Sequence, residues 1–520
     1  MRSFGLLCGF AISLVANAAF AQGNDLSTPT GGRSTLMGNT GVALGRDGST
    51  PFYNPATIVR IRDERLAFSV NFYSLALTDF DSWHQPGDVD DARFGAGATS
   101  GTSLLDSSFR SLPSTLCLFF TLEDLANLSE VEENDDDEDD PLYELESRRP
   151  RGKKLAICFA TLESEDVDMQ AIRFSGDTAA GPTHQLQSVQ RRWGRTYVGP
   201  TYSVSLNERF AIGGSIQIVY SHDSFGIDSS SLSALMGGGG LASALGTSGS
   251  GRSFALTGVL GATYSYRKLT LGASLRAPSI HVLGSYEGTF HRSSSGEQDE
   301  AVVADASGSL ESAPLTRLAL GAGLAWNDLS LELDVALGLP VQPVLRAELD
   351  VDTHTLTATG VTTERIAQTY EIESHVTVNP GIGMEYFLSS SFSLLAGLSA
   401  NFSALPELEP VPSVGNLIQS RMSHLNASFG VGSYWEEGEL LFGLQLDYGF
   451  GKALAVNPYV LPNDWAVVDS RSYGLLFVIA GSTNLSSIVR VVNTIGNGGE
   501  PEVEDEEIEN PDARPVEPTL

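Results

Sequence analysis

Beyond its first 21 residues this chain of 520 residues has no stretch approaching the roughly 20 consecutive apolar residues that a membrane-spanning helix needs. That excludes an inner-membrane helical protein. Cysteine is scarce, with 3 in all, and Cys8 lies in the apolar leader, so at most one disulfide, Cys117 with Cys158, is available downstream. Cations are scarce too. Against 64 Asp and Glu stand 31 Lys and Arg, for a net charge of −33, which argues against nucleic acid as a partner. Catalytic signatures are missing: there is no Gly-x-Ser-x-Gly, no His-Glu-x-x-His and no Cys-x-x-Cys, so no enzyme, cofactor or metal is expected. His424 and His375 are the first candidates for a Ser–His pair assembled across strands, with ordinary lumen or rim roles the commoner outcome. The acidic run Glu130 to Asp140 lacks the Asp-x-Asp-x-Asp-Gly spacing of a calcium loop.

What is present begins with a leader. Arg2, the apolar run Phe4 to Val15 and Ala19-Phe20-Ala21 before Gln22 have the order of a secretory signal peptide spanning 1–21. Export would place Cys117 and Cys158 in an oxidising compartment, where a cross-strand disulfide forms readily. Two buried free thiols are the alternative, favoured because buried free Cys is common.

The dominant pattern has a period of two. Leu331 to Leu337 reads Leu-Glu-Leu-Asp-Val-Ala-Leu, and successive side chains on a strand point to opposite faces. In a soluble sandwich the apolar face meets another sheet; in a membrane barrel it faces lipid and the polar face lines a lumen. Fourteen such segments are expected near 64–76, 112–122, 153–163, 195–206, 209–221, 253–266, 268–278, 315–326, 328–338, 376–387, 391–402, 422–434, 439–450 and 471–482. From the fourth onward, tight links such as Asn207-Glu208, Arg267-Lys268 and Asn327-Asp328 alternate with long ones. Outer-membrane barrels have that parity because periplasmic turns are short and outer loops long, and a sandwich has no reason for it. Residues 279–291, 300–312, 344–358 and 361–375 continue the extended pattern and are expected to carry hairpins beyond the membrane. Phe210, Tyr264, Tyr266, Trp326, Tyr386, Phe387, Phe392, Tyr434 and Trp435 lie beside the tight links, where an interfacial aromatic girdle is expected. The fold class is therefore an all-β transmembrane antiparallel barrel, and its inward polar set includes Glu332, Asp334, Glu385, His424, Asn426 and Asp447.

Residues 32–56 carry a more specific pattern. Gly32-Arg33-Ser34-Thr35-Leu36-Met37-Gly38-Asn39-Thr40-Gly41 leads through Asp47 to Phe52-Tyr53-Asn54-Pro55-Ala56. This resembles the amino-terminal signature of the FadL/TodX family of outer-membrane transporters for long-chain fatty acids and aromatic hydrocarbons. The resemblance covers about 25 residues and implies a fourteen-stranded barrel whose amino-terminal segment folds into the lumen as a hatch, with Gly38, Gly41, Asp47, Asn54, Pro55 and Ala56 as its motif. It also implies capture of hydrophobic ligands in the outer loops and a lateral exit through the wall. Inward Glu332, Asp334, Glu385 and Asp447 are expected to meet Arg33, Arg46, Arg276 or Arg317, or else to line a hydrated pore unpaired. In the loop 222–252, Leu232, Leu235, Met236, Leu241 and Leu245 recur at helical spacing, an apolar ligand surface or plain loop packing. Arg276 and Arg317 are candidates for a ligand carboxylate.

The expected organisation is a leader (1–21), a hatch (22–62), a barrel (63–484) with an acidic insertion (124–151) and an outer loop with short helices (222–252), and an acidic periplasmic tail (485–520). Expected partners are the lipid bilayer, a hydrophobic small molecule and the barrel-assembly machinery, with the protein a monomer in the Gram-negative outer membrane. Passive transport of hydrophobic molecules such as long-chain fatty acids is the leading function. The alternatives are an interaction barrel recruiting an envelope or secretion partner through its acidic segments, and an open polar porin.

Overall fold

The computed structural model describes Asn24 and residues 30–61, 65–80, 102–109, 114–122, 152–178, 181–234, 240–295, 300–408, 420–457 and 464–484. The leader, the acidic insertion and the acidic tail lie outside the described residues. The chain forms a closed antiparallel barrel of fourteen spans. The first is β1 (Arg65–Phe80), and the second is β2 (Thr102–Phe109) in line with β3 (Thr115–Leu122). Four long strands follow: β4 (Lys153–Thr178), β5 (Gly181–Ser205), β6 (Phe210–Ala234) and β7 (Gly240–Tyr266). The next four spans are each broken once, as β8 (Leu269–Arg276) with β9 (Ile280–Ser295), β10 (Glu300–Ser312) with β11 (Thr316–Trp326), β12 (Leu329–Leu339) with β13 (Leu345–Thr357), and β14 (Gly360–Ile372) with β15 (Thr377–Ser389). The last four are β16 (Phe392–Asn401), β17 (Ser420–Trp435), β18 (Gly438–Asn457) and β19 (Asp464–Asn484). β1 pairs with β19 from Arg65–Asn484 to Phe80–Ser470, which closes the sheet and removes its edges.

The register lays the outward side chains in rows. Leu425, Tyr448, Tyr473 and Leu77 share one row across β17, β18, β19 and β1, and Phe429, Leu444, Phe477 and Tyr73 share a lower one. Ten residue steps separate Leu425 from Trp435 at the bottom of β17. At about 3.3 Å per residue and a tilt of about 40° that is about 25 Å of height, the height of a lipid-facing band. Tyr264, Tyr266, Trp326, Tyr386, Phe392 and Trp435 are exposed beside the tight turns, as a girdle requires. Phe387 and Tyr434 depart from it: they turn inward, their rings 5.6 Å apart, and the Arg46 guanidinium lies 5.8 Å from each.

Two expectations need correcting. Residues 222–252 hold no helix among those described: β6 and β7 run on as a paired hairpin as far as Ala234 and Gly240. Ser, Gly and Thr dominate that segment, and all three are poor helix formers, so pairing with a neighbouring strand prevails over an isolated helix. The thiols are not free. Cys117 and Cys158 are direct cross-strand partners in β3 and β4, with Cα atoms 4.2 Å apart, and form a disulfide. Both face inward, so the disulfide lies in the lumen wall. Protein lacking its leader should therefore show no free thiol towards Ellman's reagent when denatured without reductant; two reactive thiols would contradict the pairing.

Candidate functional site

Residues 30–61 form a compact amino-terminal segment built around three short elements: α1 (Gly32–Leu36), α2 (Thr50–Tyr53) and a 3-10 turn (Pro55–Arg60). Such short helices have little stability of their own, so the polar side chains of the motif hold them. Asp47 accepts hydrogen bonds from the Ser34 backbone N–H at 2.9 Å, the Ser34 hydroxyl at 3.1 Å and the Ser49 N–H at 3.0 Å, tying the ends of a loop together. Asn54 is extended (φ −154°, ψ 103°), as the residue before a proline prefers. Its Oδ1 accepts from the Ala56 N–H at 3.1 Å, capping the 3-10 turn, while its Nδ2 donates to the Val42 carbonyl at 2.6 Å and the Ala262 carbonyl at 3.2 Å. Asn54→Ala should weaken the seating of this segment by about 1–2 kcal/mol, as a lost cap does. Limited proteolysis of the folded barrel reads that change, and an unchanged cleavage rate would contradict it.

The wall supplies complementary groups. Glu332 accepts from the N–H groups of Ala43 and Leu44 at 2.7 and 2.8 Å, and Asp334 from those of Gly41 and Val42 at 2.8 and 2.9 Å. Four consecutive backbone donors are thus satisfied by two β12 carboxylates two residues apart on one face. Glu385 on β15 is fully buried and bridges Arg33 at 2.8 Å and Arg46 at 2.7 Å. Its second oxygen accepts from Ser393 at 3.0 Å and from the Tyr434 hydroxyl. Burial opposes the charge on Arg33, but Glu385 and Glu332 beside it raise its guanidinium above the ordinary arginine pKa. Burial pushes the Arg60 guanidinium down to about 10, against the pull of Glu332. Charge pairing of this kind is what a desolvated lumen demands.

Where the wall carries glycine the segment comes close to it, backbone to backbone at Gly383 and Gly397 and through the Leu36 and Leu44 side chains at Gly430, Gly443 and Gly323. A Cβ at Gly397 would lie 2.0 Å from the Gly38 nitrogen, and one at Gly383 would lie 2.1 Å from the Met37 carbonyl oxygen. Gly38 itself has φ 68°, a left-handed conformation suited to glycine, and a Cβ there would meet the Ile382 carbonyl at 2.6 Å. Similar close approaches place Asn54 and Pro55 on β7 and β6, Val42 on β8, Leu36 on β17 and β18, and Gly32 on β19. The segment also packs Val42, Phe52, Tyr53, Ile58 and Ile61 into an apolar cluster with inward residues of β1, β3 to β7, β11 and β12.

All six motif residues are therefore buried in one segment that touches much of the inner wall, and Glu332, Asp334 and Glu385 meet that segment. Asp447 does not: it accepts from His424 Nδ1 at 2.9 Å, while Gln445 donates to Asn426 at 2.8 Å. These form a separate polar layer on β17 and β18. Arg276 and Arg317 are cross-strand partners on β8 and β11, buried over the rings of Tyr197 and Tyr53 at 5.6 and 5.5 Å. The leucine stripe is not brought together. Leu232 is exposed and Leu245 buried on opposite faces of the hairpin, Leu241 lies in β7, and Leu235 and Met236 lie outside the described residues. His375 is exposed beyond β14. A cavity of about 40 Å³ lies between segment and wall, lined by Asn39, Tyr53, Arg317, Asp334, Asn379 and Asn401 among others. Its lining mixes these polar groups with apolar ones such as Ala336, Pro380 and Ala400, and it has room for a few waters.

Sequence reasoning missed a buried network above the segment. Arg195 donates to Glu163 at 2.6 Å and to Ser312 at 3.0 Å, joining β5 to the end of β10, and Tyr197 donates to Glu163 at 2.9 Å. It also missed the wall glycines, whose signal is their recurrence on the inward parity of strands such as Gly321-x-Gly323 and Gly381-x-Gly383.

No family model and no curated protein matches this chain. Among solved structures it is similar to the toluene transporter TodX of P. putida, with a TM-score of 0.50 and 13% identity over 88% of this chain and 98% of that one. A TodX deltaS2S3 mutant, a monoaromatic hydrocarbon channel, gives 0.51 and 12% over 88% and 99%. The chain has the fold of the FadL/TodX barrels.

Proposed function

We propose that this protein is an outer-membrane transporter for hydrophobic small molecules, with residues 22–62 acting as its hatch. The observation that carries the reading is the seating of residues 30–61 in the lumen, held by Glu332, Asp334 and Glu385 and packed into an apolar cluster with the inner wall. The likeness of fold to a toluene transporter supports a hydrophobic cargo. A greasy ligand would meet the apolar cluster around Phe119 and Leu162 once the segment packed against it shifts. Release then passes sideways through the wall. An open polar porin would need those carboxylates to face water, and the Glu332, Asp334 and Glu385 side chains do not.

The test is uptake of labelled toluene and of a long-chain carboxylate into proteoliposomes, with lipid analysis of the purified protein, for wild type and for a variant lacking Gln22–Ala56. Saturable uptake and a co-purified apolar ligand lost in the deletion, with the barrel still folded, are expected. Uptake no faster than in protein-free vesicles, with envelope proteins retained through the acidic segments, would favour the interaction barrel instead.

A further inference from the structure

We propose that the outward face of β17, β18 and β19 binds a phosphorylated lipid headgroup of the leaflet lying on the side of the long loops. The inference rests on the membrane reading above but not on what the barrel carries. In a chain with net charge −33, cations gather here on three neighbouring strands. Arg421 lies directly opposite Lys452, and Arg471 lies opposite Phe450, one outward row below. Lys452 and Arg471 are exposed and Arg421 is half-buried.

Like charges directly opposite on one face of a sheet are destabilising unless an anion sits between them. Asp469, opposite Lys452, and Asp79, opposite Arg471, supply only part of that neutralisation. Among the described residues three cations face two acids, and Arg421 and Lys452 share a single one.

The height of the patch identifies the anion as part of a lipid. The upper aromatic row of the lipid-facing band contains Tyr448 and Tyr473, with ring centroids 5.4 Å apart, and Phe450 stacks on Tyr448 at 5.9 Å. Arg471 is one outward row above that level and Arg421 and Lys452 are two, which at about 3.3 Å per residue places them about 5 to 10 Å above the band. The polar layer of a bilayer occupies about that depth. The aromatic cluster forms a ledge for acyl chains, and the cationic rim above it meets the phosphate. A soluble phosphate would have no use for the ledge.

The experiment is native mass spectrometry of the full protein released from nanodiscs containing lipid A with two phosphates. Wild type should retain lipid A, and Arg421→Gln/Lys452→Gln should retain about thirtyfold less, the size expected for two cations lost at an anionic surface. A second variant, Arg346→Gln/Arg365→Gln, removes exposed cations from the β13–β14 hairpin and should leave retention unchanged. Equal retention in the first variant, or an equal loss in the second, overturns the proposal. So does full competition by millimolar inorganic phosphate, which would mark a site for free anions. Uptake of the hydrophobic probe should stay at the wild-type rate in Arg421→Gln/Lys452→Gln, so failure of the transport reading and failure of the lipid site are told apart.

Discussion

Glu385→Ala is expected to release the amino-terminal segment from the lumen wall while leaving the barrel closed. The carboxylate is fully buried and is the common partner of Arg33 and Arg46. Removing one member of a buried ion network leaves uncompensated charge in a desolvated place, at about 3–5 kcal/mol. Here two guanidiniums lose their partner, and Ser393 and Tyr434 lose their acceptor. The barrel's own ladder from β1 to β19 does not pass through that side chain, so heat-modifiable migration on gels should persist. Proteolysis within residues 30–61 should instead accelerate by two orders of magnitude or more. Glu385→Gln keeps the shape and an acceptor and should fall between. Wild-type protease resistance in Glu385→Ala would mean that the segment is held by something other than this network.

The second large effect comes from a single methyl group. Gly→Ala in a strand ordinarily stabilises slightly, because glycine loses more backbone freedom on folding. At Gly397 the sign should reverse. The new Cβ would lie 2.0 Å from the Gly38 nitrogen and 2.3 Å from the Met37 carbonyl carbon. Both are backbone atoms, so no side-chain rotation relieves the contact. Overpacking of this sort costs about 1–3 kcal/mol and occasionally more, borne by the seating of the segment. Gly226→Ala on β6 is the matched control, since nothing lies within 4 Å of its Cβ position. Gly397→Ala should resemble a mild Glu385→Ala in proteolysis, and Gly226→Ala should match wild type. Identical behaviour of the two would remove the close-contact account of the wall glycines.

The spans were legible in the sequence because two independent periodicities agree. Alternation sets the faces, and the parity of short and long links sets the direction, so β12 was expected at 328–338 and runs Leu329–Leu339. The extended outer hairpins were legible for the same reason. The segment 222–252 was misread because five apolar residues at helical spacing are few, and tertiary pairing outweighs so weak a pattern. The disulfide was not decidable, since pairing needs register and sequence alternation gives only face. Glu332, Asp334 and Glu385 were legible as inward acids, but not their partners: Glu332 and Asp334 meet backbone N–H groups, which every residue carries. Asp447 was expected to meet an arginine and instead meets His424, two strand positions across the ladder. Phe387 and Tyr434 were assigned to the girdle by proximity to turns, yet their parity with Glu385 and Gly432 places them inside.

The central claim is that the lumen is closed by the amino-terminal segment, and single-channel recording in planar bilayers tests it most directly. Wild-type protein is expected to conduct little or nothing, while protein lacking Gln22–Ala56 and the Glu385→Ala variant open to stable, porin-like steps. Large steady conductance in wild type, unchanged by either alteration, would contradict a barrel closed by this segment.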